Sequence, residues 1–102
     1  MKVKKDPVWI AQVGERLVRG LWAVNKKPAE ICRLFDIKPA AWSNYANGVR
    51  PLDVEVAIKL AKKFGFTLDW LYMGVEYNLP SHLSARIGAY GPGETSHKNR
   101  PN

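Results

Sequence analysis

Pro28-Ala29-Glu30-Ile31-Cys32-Arg33-Leu34-Phe35-Asp36-Ile37-Lys38-Pro39-Ala40-Ala41-Trp42-Ser43-Asn44-Tyr45-Ala46-Asn47-Gly48 holds two prolines, each standing ahead of a short run with helical spacing, and a closing glycine. Each proline suits the first turn of a helix, where its missing N–H costs nothing. Glu30 falls in the first turn of the earlier helix, the end that favours a negative charge. Ile31, Leu34 and Phe35 are its expected buried side, and Asp36 stops it. Only Asp36, Ile37 and Lys38 separate that stop from Pro39, so a second helix is predicted from Pro39 to Asn47. Gly48 ends it with the left-handed cap that glycine accepts most easily.

Two short helices joined by a three-residue turn match the helix-turn-helix unit, whose second helix enters the major groove of DNA. At about 100° per residue, Ala41, Trp42, Tyr45 and Ala46 gather on one side of that second helix. Ala40, Ser43, Asn44 and Asn47 gather on the other, with Pro39 at its edge. A merely solvated face usually carries Lys and Glu, which favour helix and solubility. Asn and Ser form helix less well, so their presence asks for a reason. Base edges supply one: Asn bonds adenine through two atoms, Ser adapts, and Ala touches a thymine methyl. An ordinary exposed helix face is the plainer alternative.

Lys27 and Lys38 stand where Ser, Thr or Asp would cap these two helices. A cation there opposes the helix dipole, unless a phosphate sits against the free N–H groups and the lysine neutralises it. Drift on a stable fold would also leave lysine at these positions.

Outward from this pair, Ile10, Val13, Leu17, Leu21 and Val24 recur at steps of three and four, the face of a long first helix. Asn25-Lys26-Lys27 breaks it. Asp53 is a good N-cap for a fourth helix with Ala57, Leu60, Ala61 and Phe64 inward. Thr67 caps a short fifth helix with Leu68, Leu71 and Tyr72 inward, closed by Gly74. Pro80 to Ile87 suggests two weak helical turns, and residues 88–102 read as a disordered tail. No segment alternates with the period of a half-buried strand. The expected layout is a basic arm at 1–7, a DNA-binding domain at 8–78 and an extension at 79–102.

The 102 residues suffice for one domain, and 46% hydrophobic content is that of a globular chain. No apolar run is long enough to span a membrane, and the basic start lacks the apolar stretch of a secretory signal. A single cysteine, Cys32, excludes an internal disulfide and fits a reducing cytoplasm; its position suggests core filler. The net charge of +7 favours anionic partners, with nucleic acid before an acidic membrane. Gly88 to Thr95 approaches a phosphate-loop pattern, but Glu94 stands where that loop needs lysine. His82 and His97 have no second cysteine to complete a metal site, and no catalytic set is recognisable. Neither metal, cofactor nor enzymatic activity is expected.

From about Val13 to Gly74 the chain resembles the Cro and lambda-repressor superfamily of helix-turn-helix regulators, the XRE type. The residues that carry the resemblance are Gly14-Glu15-Arg16-Leu17, Pro28-Ala29-Glu30-Ile31, Ile37 through Tyr45, Asn47-Gly48, Arg50-Pro51 and Leu68-Asp69-Trp70-Leu71 with Gly74. The resemblance implies an all-α, five-helix domain that binds operator DNA as a two-fold dimer, here with a short C-terminal extension. It places base contacts on Lys38, Pro39, Ala40 and Asn44, and phosphate contacts around Asn47 and Arg50. Three positions depart from the family. Pro28 stands where a phosphate-touching glutamine is common, Asp36 where glycine closes the second helix, and Leu21 with Ala46 where an Arg–Glu pair is common.

The expectation is therefore a cytoplasmic, sequence-specific regulator of double-stranded DNA, most simply a repressor. Lys38, Pro39, Ala40, Ser43 and Asn44 would read bases, and Lys27, Lys38, Asn47 and Arg50 would hold the backbone. So short a helix spans few base pairs, so a homodimer on half-sites about one helical turn apart is expected. The fifth helix or the segment with Tyr77, Leu79, Leu83 and Ile87 would pair the copies, as side chains too exposed for a monomer. Two alternatives stay open: an antitoxin whose residues 79–102 wrap a toxin, and a helical protein-interaction adaptor with no DNA role.

Overall fold

Asp6 starts the first helix: its carboxylate accepts the N–H groups of Val8 at 3.0 Å and Trp9 at 3.4 Å. Pro7 follows in the first turn, and α1 runs Pro7–Ala23. The computed structural model describes residues 6–90, so residues 1–5 of the expected basic arm and residues 91–102 of the expected tail lie outside the described residues. Beyond α1 come α2 (Pro28–Phe35), α3 (Pro39–Ala46), α4 (Val54–Phe64), a single wide π-type turn (Asp69–Met73) and α5 (Ser81–Ala89). Among the described residues there is no strand, so the architecture is all-α. Among the described residues no helix is long and apolar enough to cross a membrane.

The caps are those the local chemistry asks for. The Asp53 carboxylate accepts the N–H groups of Glu55 and Val56, at 3.0 and 3.4 Å. The Thr67 hydroxyl accepts the Trp70 N–H at 3.0 Å. Asp36 closes α2 with φ 57°, a left-handed backbone that a non-glycine residue adopts at a cost.

One core ties all six elements together. Leu17 of α1, Ile31 of α2, Trp42 of α3, Leu60 of α4, Trp70 of the π-type turn and Ile87 of α5 belong to one buried cluster. Burial at this scale, roughly 1.5–3 kcal/mol for each large side chain, is the main favourable term of the fold. Two inward assignments need correction. Leu34 is half exposed, and Cys32 takes the buried place beside Ile31. Leu68 also faces out, because the wide turn directs Trp70 and Leu71 inward instead.

The division at residue 79 is likewise revised. Leu79, Leu83 and Ile87 belong to the same buried cluster as α1 and α4, so the segment from Leu79 to Tyr90 completes the domain. Arg86 seals this docking: its Nε donates to the Ala23 carbonyl at 2.6 Å and its guanidinium lies 5.1 Å over the Trp22 ring. Tyr90 packs edge-on against the same tryptophan.

Candidate nucleic-acid interface

What holds α3 in place is backbone touching backbone. A Cβ added at Gly14 would stand 2.6 Å from the Ala46 carbonyl oxygen and 2.7 Å from that of Tyr45. Only glycine lets α1 and α3 approach this closely. At the far end Gly48, with φ +72°, lies against Ala11 of α1. Trp42 is driven into the core, 4% exposed. The approach of Ala46 to α1 thus falls at Gly14, about two turns before Leu21. Leu21 instead lines a cavity with Trp22 and Lys27.

The opposite side of α3 is open. Pro39, Ala40, Ser43 and Asn47 are exposed, and Asn44 is half-buried. The Asn47 amide Nδ2 donates to the Ser43 hydroxyl at 3.0 Å, which orders two of these groups before any partner arrives. The Asn44 carbonyl accepts the N–H groups of Val49 at 2.9 Å and Arg50 at 3.1 Å. Those two bonds fold the following loop tightly over the helix end. They fix where Arg50 leaves the backbone.

Exposed cations flank this face. Lys27 and Lys38 are the N-caps of α2 and α3, and neither gives a side-chain cap, since an ammonium has no acceptor. At α2 the Glu30 carboxylate compensates by accepting the Lys27 N–H at 2.7 Å. At α3 no side chain does so. Among the described residues the only ion pair is Arg19 with Glu15, at 3.3 Å, so Lys27, Lys38 and Arg50 meet no carboxylate.

Between α2 and α3 lies a shallow concavity of about 370 Å³ walled by Pro28, Ala29, Cys32, Pro39 and Trp42. Pro28 makes apolar the position where a glutamine donor would have been expected. Cys32 is buried, and burial pushes its thiol up, so it stays a neutral thiol near pH 7.

Pro39, Ala40, Ser43 and Asn44 thus fall on α3, Lys38 and Asn47 at its two caps, Arg50 in the loop that follows, and Lys27 at the cap of the adjoining α2. The segment proposed for pairing copies does not stay together. Leu79, Leu83 and Ile87 are buried in the chain's own core, the last two each 2% exposed, because α5 folds back onto α1. They are not free to face a second copy. Tyr77, 89% exposed, is the one member at the surface; Leu68, Met73 and Val75, near it in the chain, are exposed as well.

Sequence reasoning passed over two residues that shape this region, one at its surface and one buried beneath α3. Val49 projects beside Arg50 with most of its side chain in water, and an isolated valine in a loop carries no periodic signal. Gly14 was noticed only as part of a motif. A glycine inside a helix costs about 1 kcal/mol against alanine, which is itself a sign of close approach. Among the described residues no three His, Cys, Asp or Glu side chains gather as a metal site. His82 is exposed, and His97 lies outside the described residues. No family model, curated protein or solved structure matches this chain.

Proposed function

We propose that this protein is a sequence-specific regulator of double-stranded DNA, a repressor in its simplest mode, that lays the segment Pro39–Asn47 in the major groove as a homodimer. α2, the turn Asp36–Lys38 and α3 then act as the helix-turn-helix of a Cro and lambda-repressor type domain. One observation carries the reading: an uncharged face of small side chains stands open to solvent, flanked by cations that no carboxylate neutralises.

The roles follow from chemistry. Asn44 bonds an adenine edge through two atoms, while Ser43 and Asn47 act as a joined pair at the groove wall. Pro39 and Ala40 offer apolar contact to thymine methyls. Lys27, Lys38 and Arg50 meet phosphates, and the open N–H groups at the start of α3 point the same way. An eight-residue helix reads only a few base pairs, so a second copy supplies the rest of the specificity. The exposed Leu68, Met73, Val75 and Tyr77 form the surface best suited to pair the two copies.

Selection of random duplexes by the purified protein tests this. The expected product is a two-fold symmetric site with half-sites about one helical turn apart. Asn44→Ala should relax one position in each half. Lys27→Gln and Lys38→Gln should each reduce the salt slope of binding by about one. Absence of any enriched sequence, together with retention on DNA that ignores salt, would refute the proposal.

A further inference from the structure

A second concave site lies where α1 ends and α2 begins, with Arg86 of α5 in its wall. This cavity of about 600 Å³ is walled by Leu21, Trp22, Lys26, Lys27, Glu30 and Arg86. Its size falls within the range of small-molecule sites, about 300–1,000 Å³. Three cations face a single carboxylate, and one oxygen of that carboxylate already accepts the Lys27 N–H at 2.7 Å. Arg86 is held in position: Nε donates to the Ala23 carbonyl, Nη2 to that of Trp22 at 3.5 Å, and the guanidinium rests over the Trp22 ring. A guanidinium has five N–H donors, so donors beyond these two remain for a ligand. Lys26 and Lys27 are exposed and enter no ion pair among the described residues.

We infer that this cavity binds a small organic anion with an apolar, ring-sized body. Its carboxylate or phosphate lies against Lys26, Lys27 and Arg86, and its body lies along the exposed part of Trp22, beneath which Leu21 is buried. A bare inorganic anion would leave the apolar wall uncovered. A neutral molecule would leave the excess positive charge unmatched. The site also has a regulatory consequence, which rests on the DNA-binding reading. Lys27 serves both the cavity and a DNA phosphate, so a bound anion neutralises a cation that the duplex uses. The two ligands therefore oppose each other, and the opposition is reciprocal.

Titration of the full-length, nitrogen-15-labelled protein with benzoate, benzamide and inorganic phosphate tests the site without DNA. The indole N–H of Trp22 and the backbone N–H groups of Lys26, Lys27 and Arg86 report on it. Benzoate should give saturable shifts there, with benzamide and phosphate each about tenfold weaker. The doubly substituted Lys26→Gln, Lys27→Gln protein should bind benzoate about tenfold more weakly, with the buried Trp42 and Trp70 indole signals unmoved. Shifts that grow linearly with benzoate, equal responses to the three probes, or unchanged binding by the double variant would each overturn the site. In a second arm, saturating benzoate should weaken duplex affinity about fivefold. Benzoate binding with no effect on the duplex overturns the opposition alone. A duplex that never binds while benzoate does refutes the DNA reading and leaves the cavity standing.

Discussion

The two sides of α3 obey opposite rules. On the inner side, carbonyl oxygens of Tyr45 and Ala46 sit where a single methyl on Gly14 would collide, and Trp42 is sealed in the core. On the outer side Pro39, Ala40, Ser43 and Asn47 touch little and face water. A helix whose inner contacts are that unforgiving cannot rotate or slide to suit a partner. Whatever meets its outer side meets a fixed pattern of groups. The inner side therefore governs stability, and recognition, on the function proposed above, falls to the outer side.

Substitutions should separate those two quantities. Trp42→Ala removes the largest inner contact and should cost about 3–5 kcal/mol of folding stability, read from urea unfolding. Gly14→Ala gains helix propensity, but the clash with Ala46 should dominate. The expected net loss is about 1–3 kcal/mol in the same assay. If Gly14→Ala is neutral, the fixed geometry of α3 is wrong. On the outer side, Asn44→Ala should reduce discrimination at one base pair by about 1–3 kcal/mol. The same change should leave unfolding within about 0.5 kcal/mol of the parent. At the turn that joins the two helices, Asp36→Gly relieves a left-handed backbone and should add about 0.5–1 kcal/mol of stability.

The inner side also has a signature in alkaline solution. Burial, with Asp53 and Tyr45 nearby, pushes the Tyr72 phenol from an ordinary value of 10.0 up to about 12. Its hydroxyl donates to the Leu52 carbonyl at 2.8 Å and so ties the loop after α3 to the π-type turn. A raised folded value means the protonated form is favoured by folding. The contribution is present below pH 10 and is lost as pH rises towards 12. The urea midpoint of the parent should fall more steeply across that window than that of Tyr72→Phe.

Elements whose ends are set by near neighbours were legible in the sequence. Pro28, Pro39, Asp53, Thr67, Gly48 and Gly74 each act within a few residues, and each stands where the chain starts or stops a helical segment. The uncharged outer face of α3 was legible for the same reason, since helical spacing alone assigns its members. What covers an apolar side chain was not. No local pattern signals that Leu83 and Ile87 are buried, because α1, against which α5 packs, lies far back in the chain. The Arg86–Ala23 and Trp9–Tyr72 hydrogen bonds each join residues 63 positions apart. The cavity beside Trp22 was invisible too, since it exists only where three separate elements converge.

The bond from Arg86 to the end of α1 has a bearing on the order in which the molecule is made. The Ala23 carbonyl at the end of α1 finds its partner on a residue synthesised long after it. The Gly20, Leu21 and Trp22 carbonyls just before it already accept the N–H groups of Val24, Lys26 and Asn25, so only the last carbonyl of α1 waits on water until the chain has grown past Arg86.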